Sequence, residues 1–183
     1  MRVISGTARG TKLNSIDDLS TRPTLDRVKE PLFSIIQAHI PDANILDLFA
    51  GSGALGIEAL SRGSKYCVFC DKSYKSINML KQNIEKTKFQ NQCSIVNEDY
   101  KKCIDNQKMK FDITFIDPPY KYDIGVDAIE RILKQNLLSK EGIIVLETDE
   151  EDRDIKELKK IDLEVYDVRK YGRVKLIFLR ERG

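Results

Sequence analysis

Short apolar runs alternate with longer amphipathic segments from residue 44 onward. The runs predict seven β-strands, at residues 45–49, 66–70, 93–96, 112–116, 142–147, 163–168 and 174–180. The first five runs are nearly continuous in apolar residues, which is typical of strands that are covered on both faces. Between the runs, apolar side chains recur at helical spacing in residues 55–60, 73–88 and 123–138. In the last of these, Asp123 is the expected N-cap.

This alternation predicts an α/β fold: a doubly wound, mostly parallel seven-stranded sheet with right-handed crossovers. Only residues 169–173, which include Gly172, separate the last two predicted strands. A turn this short joins antiparallel neighbours only. We therefore expect one antiparallel strand near the C-terminus. The acidic run of residues 147–154 fits the end of a strand followed by the N-terminus of a helix.

The first 43 residues have a different pattern. Residues 2–5 and 11–13 can pair as a small β-hairpin around Gly6 and Gly10. A helical pattern with Pro31 inside it follows, and a proline costs a helix interior about 3 kcal/mol. The helix either kinks at Pro31 or begins there, and we expect a kink. We predict one domain of 183 residues, with residues 1–43 as an extension and residues 44–183 as the core.

Charge and hydropathy narrow the class of protein. The chain carries 31 Lys and Arg against 29 Asp and Glu, a net charge of +2, which excludes a polybasic nucleic-acid tail. No apolar run approaches the ~18 to 20 residues that cross a bilayer. The N-terminus lacks the apolar segment of a secretory signal. We expect a soluble, cytoplasmic protein without membrane contact, and a monomer.

Cys67 and Cys70 form a CxxC motif that needs interpretation. The motif lies on a predicted strand, where positions three apart point to opposite faces. We interpret the two thiols as buried apolar side chains and not as a metal or redox pair. His39 is the only histidine, which excludes mechanisms that need two. We therefore expect no metal site.

A glycine motif lies between the first predicted strand and the helix that follows. Gly51, Gly53 and Gly56 match G-x-G-x-x-G, and Asp71 ends the next strand twenty residues later. Such an acid can accept hydrogen bonds from the ribose of an adenosine cofactor, either NAD or S-adenosylmethionine. Asp47 beside the loop disfavours a pyrophosphate and can accept the ammonium group of S-adenosylmethionine. Alternatively, Asp47 only fixes the loop through hydrogen bonds.

A second motif, Asp117, Pro118, Pro119 and Tyr120, follows the fourth predicted strand. Ligands of such sheets bind beyond the carboxyl ends of the strands, so this motif is expected beside the glycine loop. The prolines stiffen the turn. The carboxylate and the Pro118 carbonyl can accept the N–H bonds of an exocyclic base amine while Tyr120 stacks on the base. The pattern favours methylation of such an amine, with positioning supplying the rate.

Taken together, the two motifs resemble those of S-adenosylmethionine-dependent amino-methyltransferases, which have a Rossmann-like class I fold. Two N-terminal segments, RVISG at residues 2–6 and TRPTLDRVKE at 21–30, are the more specific part, and DLFAGSG at 47–53 agrees with them. They resemble the RsmD-type enzymes, which methylate N2 of one guanine in 16S ribosomal RNA. The resemblance covers nearly the whole chain, including Tyr171 and Gly172. Pro31 departs from it, because the family usually has a good helix former there.

The resemblance implies roles for individual residues. Asp71 would hold the ribose of S-adenosylmethionine, and Asp99 would bind its adenine amino group. The cofactor site would comprise Asp47, Phe49, Ala50, Gly51, Ser52, Gly53, Asp71, Asp99 and Thr24. The catalytic residues around the guanine would be Asp117, Pro118, Pro119 and Tyr120. RNA of the small ribosomal subunit, or of its assembly intermediate, would contact Arg2, Arg9, Lys12, Arg22 and Arg27.

Three other functions fit parts of the pattern. An adenine-N6 methyltransferase shares the Asp-Pro-Pro-Tyr motif. An NAD-dependent oxidoreductase shares the glycine loop. A catalytically inactive RNA-binding module would keep the basic N-terminal residues but would not need an intact Asp-Pro-Pro-Tyr turn.

Overall fold

A computed structural model of the chain describes residues 1–15, 25–119 and 123–183. The strands are β1 Asn44–Asp47, β2 Tyr66–Cys70, β3 Cys93–Val96, β4 Phe111–Ile116, β5 Leu138–Thr148, β6 Glu164–Tyr171 and β7 Val174–Arg180. The helices are α1 Leu25–Ile35, α2 Ala54–Ser61, α3 Tyr74–Thr87, α4 Tyr100–Asn106, α5 Gly125–Lys134 and α6 Glu151–Leu158. None of the helices in these ranges has the length and apolar character that crossing a membrane requires.

The seven strands form one sheet in the order β3-β2-β1-β4-β5-β7-β6. The five strands from β3 to β5 are parallel, and β7 is antiparallel to both of its neighbours. This confirms the predicted sheet, including its one antiparallel strand. Successive strands are added to one side of β1 as far as β3, and the next strand, β4, pairs on the other side of β1. This reversal of the strand order creates a switch point between β1 and β4, where ligands of doubly wound sheets bind.

Apolar side chains cover both faces of the sheet, as the continuous apolar runs predicted. Helices α1, α2 and α3 and residues 1–15 pack on one face, and α4, α5 and α6 pack on the other. Cys67 belongs to the first core and Cys70 to the second, and both are free thiols that are fully buried. The interpretation of CxxC as two separate core residues is confirmed.

Residues 1–15, the N-terminal arm, fold back on themselves. Val3 N donates to the Thr11 carbonyl at 3.0 Å, and Gly10 N donates to the Val3 carbonyl at 2.8 Å. Strand pairing is limited to one antiparallel bridge between Arg2 and Lys12, which is less than the predicted hairpin. A side chain at Gly6 would strike the Ser61 carbonyl oxygen, 1.8 Å from its Cβ. Glycine therefore lets the arm lie directly against the end of α2.

Helix α1 runs through Pro31, which excludes a helix that begins at the proline, and the expected kink stays a prediction. Two other helices differ from what the sequence predicts. Helix α5 ends at Lys134, because Asn136 adopts a left-handed conformation and the chain then enters β5. Its N-cap is Ile124 and not Asp123. Helix α4 has only seven residues and was not predicted, since its three buried positions are too few to show a period.

Candidate active site

The glycine loop joins the carboxyl end of β1 to the N-terminus of α2. Gly51 and Gly53 have φ values of 55° and 84°, which favour glycine. A Cβ at Gly53 would lie 2.2 Å from Leu80 Cδ1, so packing also requires glycine there. A Cβ at Gly51 would meet nothing within 4 Å. The loop backbone at Gly51 is therefore open to a ligand.

Asp71 lies at the carboxyl end of β2, in direct contact with this loop. One carboxylate oxygen accepts a hydrogen bond from Gly51 N at 2.9 Å, and the other accepts one from Ser73 N at 2.8 Å. Asn97 holds the Asp71 carbonyl through its side-chain amide at 3.0 Å. Each carboxylate oxygen keeps a lone pair, and the side chain is half-buried. The Asp71 carboxylate can therefore accept hydrogen bonds from two vicinal hydroxyls.

Asp47, at the end of β1, is almost fully buried with 2% exposure. One carboxylate oxygen accepts a hydrogen bond from Gly56 N at 3.0 Å, in the first turn of α2. Burial raises the pKa of Asp47 to about 7, with a smaller contribution from the charge of Asp71. The loop-fixing contact is therefore present, and the ammonium-binding role of Asp47 stays a prediction.

An aromatic wall closes the site on the side of β3. The rings of Phe49 and Tyr100 are 5.5 Å apart at a tilt of 43°. The Tyr100 hydroxyl donates to Asp127 at 2.5 Å, which fixes the ring against α5. Asp99 is exposed and caps α4 by accepting from Lys101 N. Tyr100 was missed in the sequence, although an aromatic residue directly after Asp99 was the available signal.

The Asp-Pro-Pro turn begins where β4 ends, next to β1. Phe115 pairs with Asp47 in the β1–β4 register, and its carbonyl accepts from Leu48 N at 3.2 Å. Asp117 is half-buried, Pro118 is buried and Pro119 is exposed. The glycine loop and the Asp-Pro-Pro turn therefore lie on the same edge of the sheet, at the ends of adjacent strands, as predicted.

A cleft continues from this turn towards β5. It is lined by Pro118 and Pro119, by the end of β5 and by the first turns of α5 and α6. Gly125 makes room for the turn, because a Cβ there would lie 2.7 Å from Leu146 Cδ1 and 3.6 Å from Pro118 Cγ. Arg153 spans the outer side through ion pairs to Asp123 at 3.5 Å and Asp154 at 3.2 Å. The lining holds four acidic residues against this one arginine, so part of the cleft wall is acidic.

The remaining predicted site residues divide into two groups. Four predicted RNA contacts are exposed: Arg2, Arg9, Lys12 and Arg27. Arg22, Thr24 and Tyr120 lie outside the described residues. Within the described ranges, no group of three or more metal-ligating side chains occurs.

Asn83 of α3 is a residue that sequence reasoning missed. Its side chain is fully buried, and its amide nitrogen donates to Ser52 O at 2.8 Å and to Asn14 O at 3.0 Å. Its oxygen accepts from Asn14 N at 2.7 Å. One side chain thus joins the glycine loop to the N-terminal arm. A lone polar residue in an amphipathic helix gives no sequence signal for this role.

The sheet order, the glycine loop against an acid of β2 and the Asp-Pro-Pro turn after β4 define a class I methyltransferase. Residues 1–180 match the family model described as Conserved hypothetical protein 95. The chain belongs to this family, the RsmD family.

Individual relatives agree with this assignment. The chain is 38% identical over 154 residues to the putative rRNA methyltransferase YlbH of Bacillus subtilis, covering 82% of this chain and 84% of that protein. It is 37% identical over 155 residues to ribosomal RNA small subunit methyltransferase D of Haemophilus influenzae, covering 82% and 80%. The structure of putative methyltransferase yhhF from Escherichia coli matches with a TM-score of 0.86 and 30% identity, over 99% of this chain and 98% of that one.

Proposed function

We propose that this protein transfers a methyl group from S-adenosylmethionine to N2 of a guanine in 16S ribosomal RNA. The observation that carries the proposal is the position of the Asp-Pro-Pro turn beside the glycine loop, at the ends of β4 and β1. The names of the relatives support an rRNA substrate, since one is a small-subunit rRNA methyltransferase. An rRNA substrate is consistent with a reaction in the cytoplasm.

The loop residues fit the cofactor on chemical grounds. Gly51 leaves its backbone open, and the half-buried Asp71 keeps acceptor capacity for both ribose hydroxyls. Phe49 and Tyr100 provide an apolar wall for the adenine, and Asp99 provides an acceptor for its amino group. Ala50, Ser52 and Gly53 form the rest of the loop. The cofactor, when bound, supplies an electrophilic methyl group.

The residues after β4 position the amine. The N2 lone pair of guanine is delocalised into the ring, so the nitrogen is a poor nucleophile. The Asp117 carboxylate and the Pro118 carbonyl can accept its two N–H bonds, which stabilises the positive charge that develops on nitrogen and aims the lone pair. Pro118 is buried, and a Cβ at Gly125 would lie 3.6 Å from Pro118 Cγ, so the chain packs closely beside the turn. A stiff turn keeps these acceptors preorganised.

In the decisive experiment, the protein is incubated with labelled S-adenosylmethionine and with small ribosomal subunits from cells that do not produce this protein. We expect label in one nucleotide of 16S rRNA, and N2-methylguanosine after digestion to nucleosides. N6-methyladenosine would assign the adenine alternative instead. An absence of label on subunits, on free 16S rRNA and on assembly intermediates would refute the proposal.

Asp117→Ala separates chemistry from binding in the same assay. We expect methyl transfer to fall by at least 10²-fold, the order seen when a preorganised acceptor or donor is removed. Binding of S-adenosylhomocysteine should stay at the wild-type level, because Asp117 faces the base. Asp123→Ala is the matched control, since its exposed carboxylate lies in the same cleft but off the turn. Full activity of Asp117→Ala would remove this residue from the mechanism.

A further inference from the structure

Positive charge is concentrated in two segments that the fold brings together. Residues 1–15 and 72–88 contain eight Lys and Arg but one acid, Glu85. The rest of the chain therefore holds 23 basic and 28 acidic residues. A net charge of +2 thus hides a strongly basic region and an acidic remainder. Such asymmetry directs a polyanion to one side of a protein.

Direct contacts make the two segments one surface. The Asn14 side chain donates to Gln82 Oε1 at 2.8 Å, and Lys86 Nζ donates to Asn14 Oδ1 at 2.6 Å and to Lys12 O at 3.3 Å. Lys75 lies on the same helical stripe as Gln82 and Lys86, seven and eleven residues earlier. We call the exposed side of the N-terminal arm and α3 the arm–α3 surface.

Tyr74 stands at the end of this surface that is nearest the cofactor loop. It is the first residue of α3 and follows Asp71, which binds Gly51, by three positions. Its side chain is 70% exposed, and no other large apolar side chain in the described ranges is exposed. Lys72 and Lys75 flank it and are also exposed. A single aromatic ring among lysines matches a stacked base with adjacent phosphates more closely than it matches an apolar partner.

We propose that the arm–α3 surface binds a single-stranded segment of RNA, with one base stacked on Tyr74 and phosphates on Lys75, Lys81 and Lys86. The proposal rests on the proposed function and adds α3 to the RNA contacts expected for the N-terminal arm. It places the bound strand along the glycine-loop side of the site. The acidic cleft wall around Arg153 would then repel the strand from the other side.

The chain has no tryptophan, which gives a direct probe of stacking. In Tyr74→Trp the indole is the sole tryptophan, and we expect its fluorescence to be quenched on titration with a single-stranded fragment of 16S rRNA. The control is Asn106→Trp, at the exposed C-terminal end of α4. Its fluorescence should not change. Equal behaviour of the two variants would overturn the stacking contact.

Affinity and salt dependence test the same surface without a new fluorophore. Tyr74→Ala should weaken binding of the fragment roughly 5- to 150-fold, and Tyr74→Phe should restore it, as expected for one stacked base. Lys75→Gln with Lys81→Gln should make the negative slope of log K against log salt shallower by about 1.4, or about 0.7 for each lost phosphate contact. Lys108 and Lys134 are also exposed but lie outside the arm–α3 surface. The control double variant, Lys108→Gln with Lys134→Gln, should therefore leave the slope unchanged.

Parallel assays separate this inference from the proposed function. If the wild type methylates small subunits while the Tyr74 and Lys75 variants bind RNA as the wild type does, the surface is refuted and the function stands. If the wild type neither binds nor methylates rRNA, the function itself fails. Vesicles of phosphatidylserine and phosphatidylcholine that bind as tightly as RNA, with the same dependence on Tyr74, would also overturn the proposal.

Discussion

At the scale of single residues, Asp47 combines two properties that oppose each other. Its carboxylate is buried at 2% exposure and fixes the first turn of α2 through Gly56 N. Burial also raises its pKa to about 7. An acid whose pKa is raised on folding takes up a proton, so stability is greatest at low pH and falls as pH rises from about 4 to about 7.

Asp47→Asn should remove this dependence. Asparagine has nearly the same shape, and its side-chain oxygen can still accept from Gly56 N. We expect the variant to match the wild type near pH 4 and to exceed its stability at pH 8 by about 2–4 kcal/mol, because only the wild type must then ionise a buried carboxyl group. Urea unfolding at pH 4.5, 6 and 8 measures this. Asp152→Asn, exposed on α6, should keep the wild-type profile, and an unchanged profile in Asp47→Asn would contradict the assignment.

The protonation of Asp47 distinguishes between the two roles predicted for it, binding the cofactor's ammonium group and fixing the loop. If Asp47 accepts the cofactor's ammonium group, binding of S-adenosylhomocysteine favours the ionised carboxylate and releases a proton near pH 7. Affinity then rises with pH between 6 and 7. Calorimetry in buffers of different ionisation enthalpy counts that proton. We expect proton release in the wild type and none in Asp47→Asn, and a wild type without proton release leaves Asp47 only the loop-fixing role.

At the scale of elements, α3 holds the N-terminal arm through three side chains. Gln82 and Lys86 form hydrogen bonds with Asn14 of the arm, and Asn83 joins the arm to the glycine loop at Ser52. Asn83→Ala leaves two carbonyls without their donor. We expect a loss of about 1–3 kcal/mol of stability and roughly tenfold weaker binding of S-adenosylhomocysteine.

Lys86→Ala is the matched control for this prediction. It removes hydrogen bonds to Lys12 and to Asn14, the arm residue that Asn83 also holds, and leaves the Asn83–Ser52 contact in place. Cofactor affinity should stay at the wild-type level while RNA affinity falls. If both variants weaken S-adenosylhomocysteine equally, the Ser52 contact is not what positions the loop. Calorimetry gives both affinities.

The elements that could be predicted from sequence are those with a strong period or a chain constraint. The strands from β1 to β5 follow from continuous apolar runs, and antiparallel β7 follows from its short turn. The glycine loop and Asp71 could be paired because their spacing is characteristic. The contacts of Asn83 and Tyr100 could not be foreseen, because they join segments far apart in sequence. The length of α5 was wrong because Asn136 ends the helix without interrupting the apolar pattern.

At the scale of the whole molecule, a buried ion pair joins the N-terminal extension to the core. Glu58 of α2 and Lys29 of α1 are both fully buried, 3.1 Å apart. Lys29 Nζ also donates to Arg2 O at 2.8 Å, and Glu58 accepts from Ile4 N at 2.9 Å. The basic arm, α1 and the helix after the glycine loop are thus held through one carboxylate.

Glu58→Gln should therefore disturb more than a single contact. It leaves the Lys29 ammonium buried without a counter-charge, which typically costs 3–5 kcal/mol. Burial raises the pKa of Glu58, but hydrogen bonds from Ile4 and Arg62 and the charge of Lys29 outweigh burial and lower it overall. The stability that Glu58 contributes is therefore present at neutral pH. It is lost progressively as the pH falls below 4.5, the ordinary pKa of a glutamate side chain, and through the lower pKa of the folded state. This dependence has the opposite sign to that of Asp47.

An exposed pair provides the comparison. Glu98→Gln breaks the surface pair with Lys102, for which a loss below about 1 kcal/mol is expected. In Glu58→Gln we also expect protease cleavage within residues 1–15 under native conditions, since Ile4 and Ser5 lose charge-assisted hydrogen bonds to α2. RNA affinity should fall with it, because the arm carries Arg2, Arg9 and Lys12. Unfolding curves that coincide for the two variants would mean that packing against Ser61, and not the buried charge, holds the arm in place.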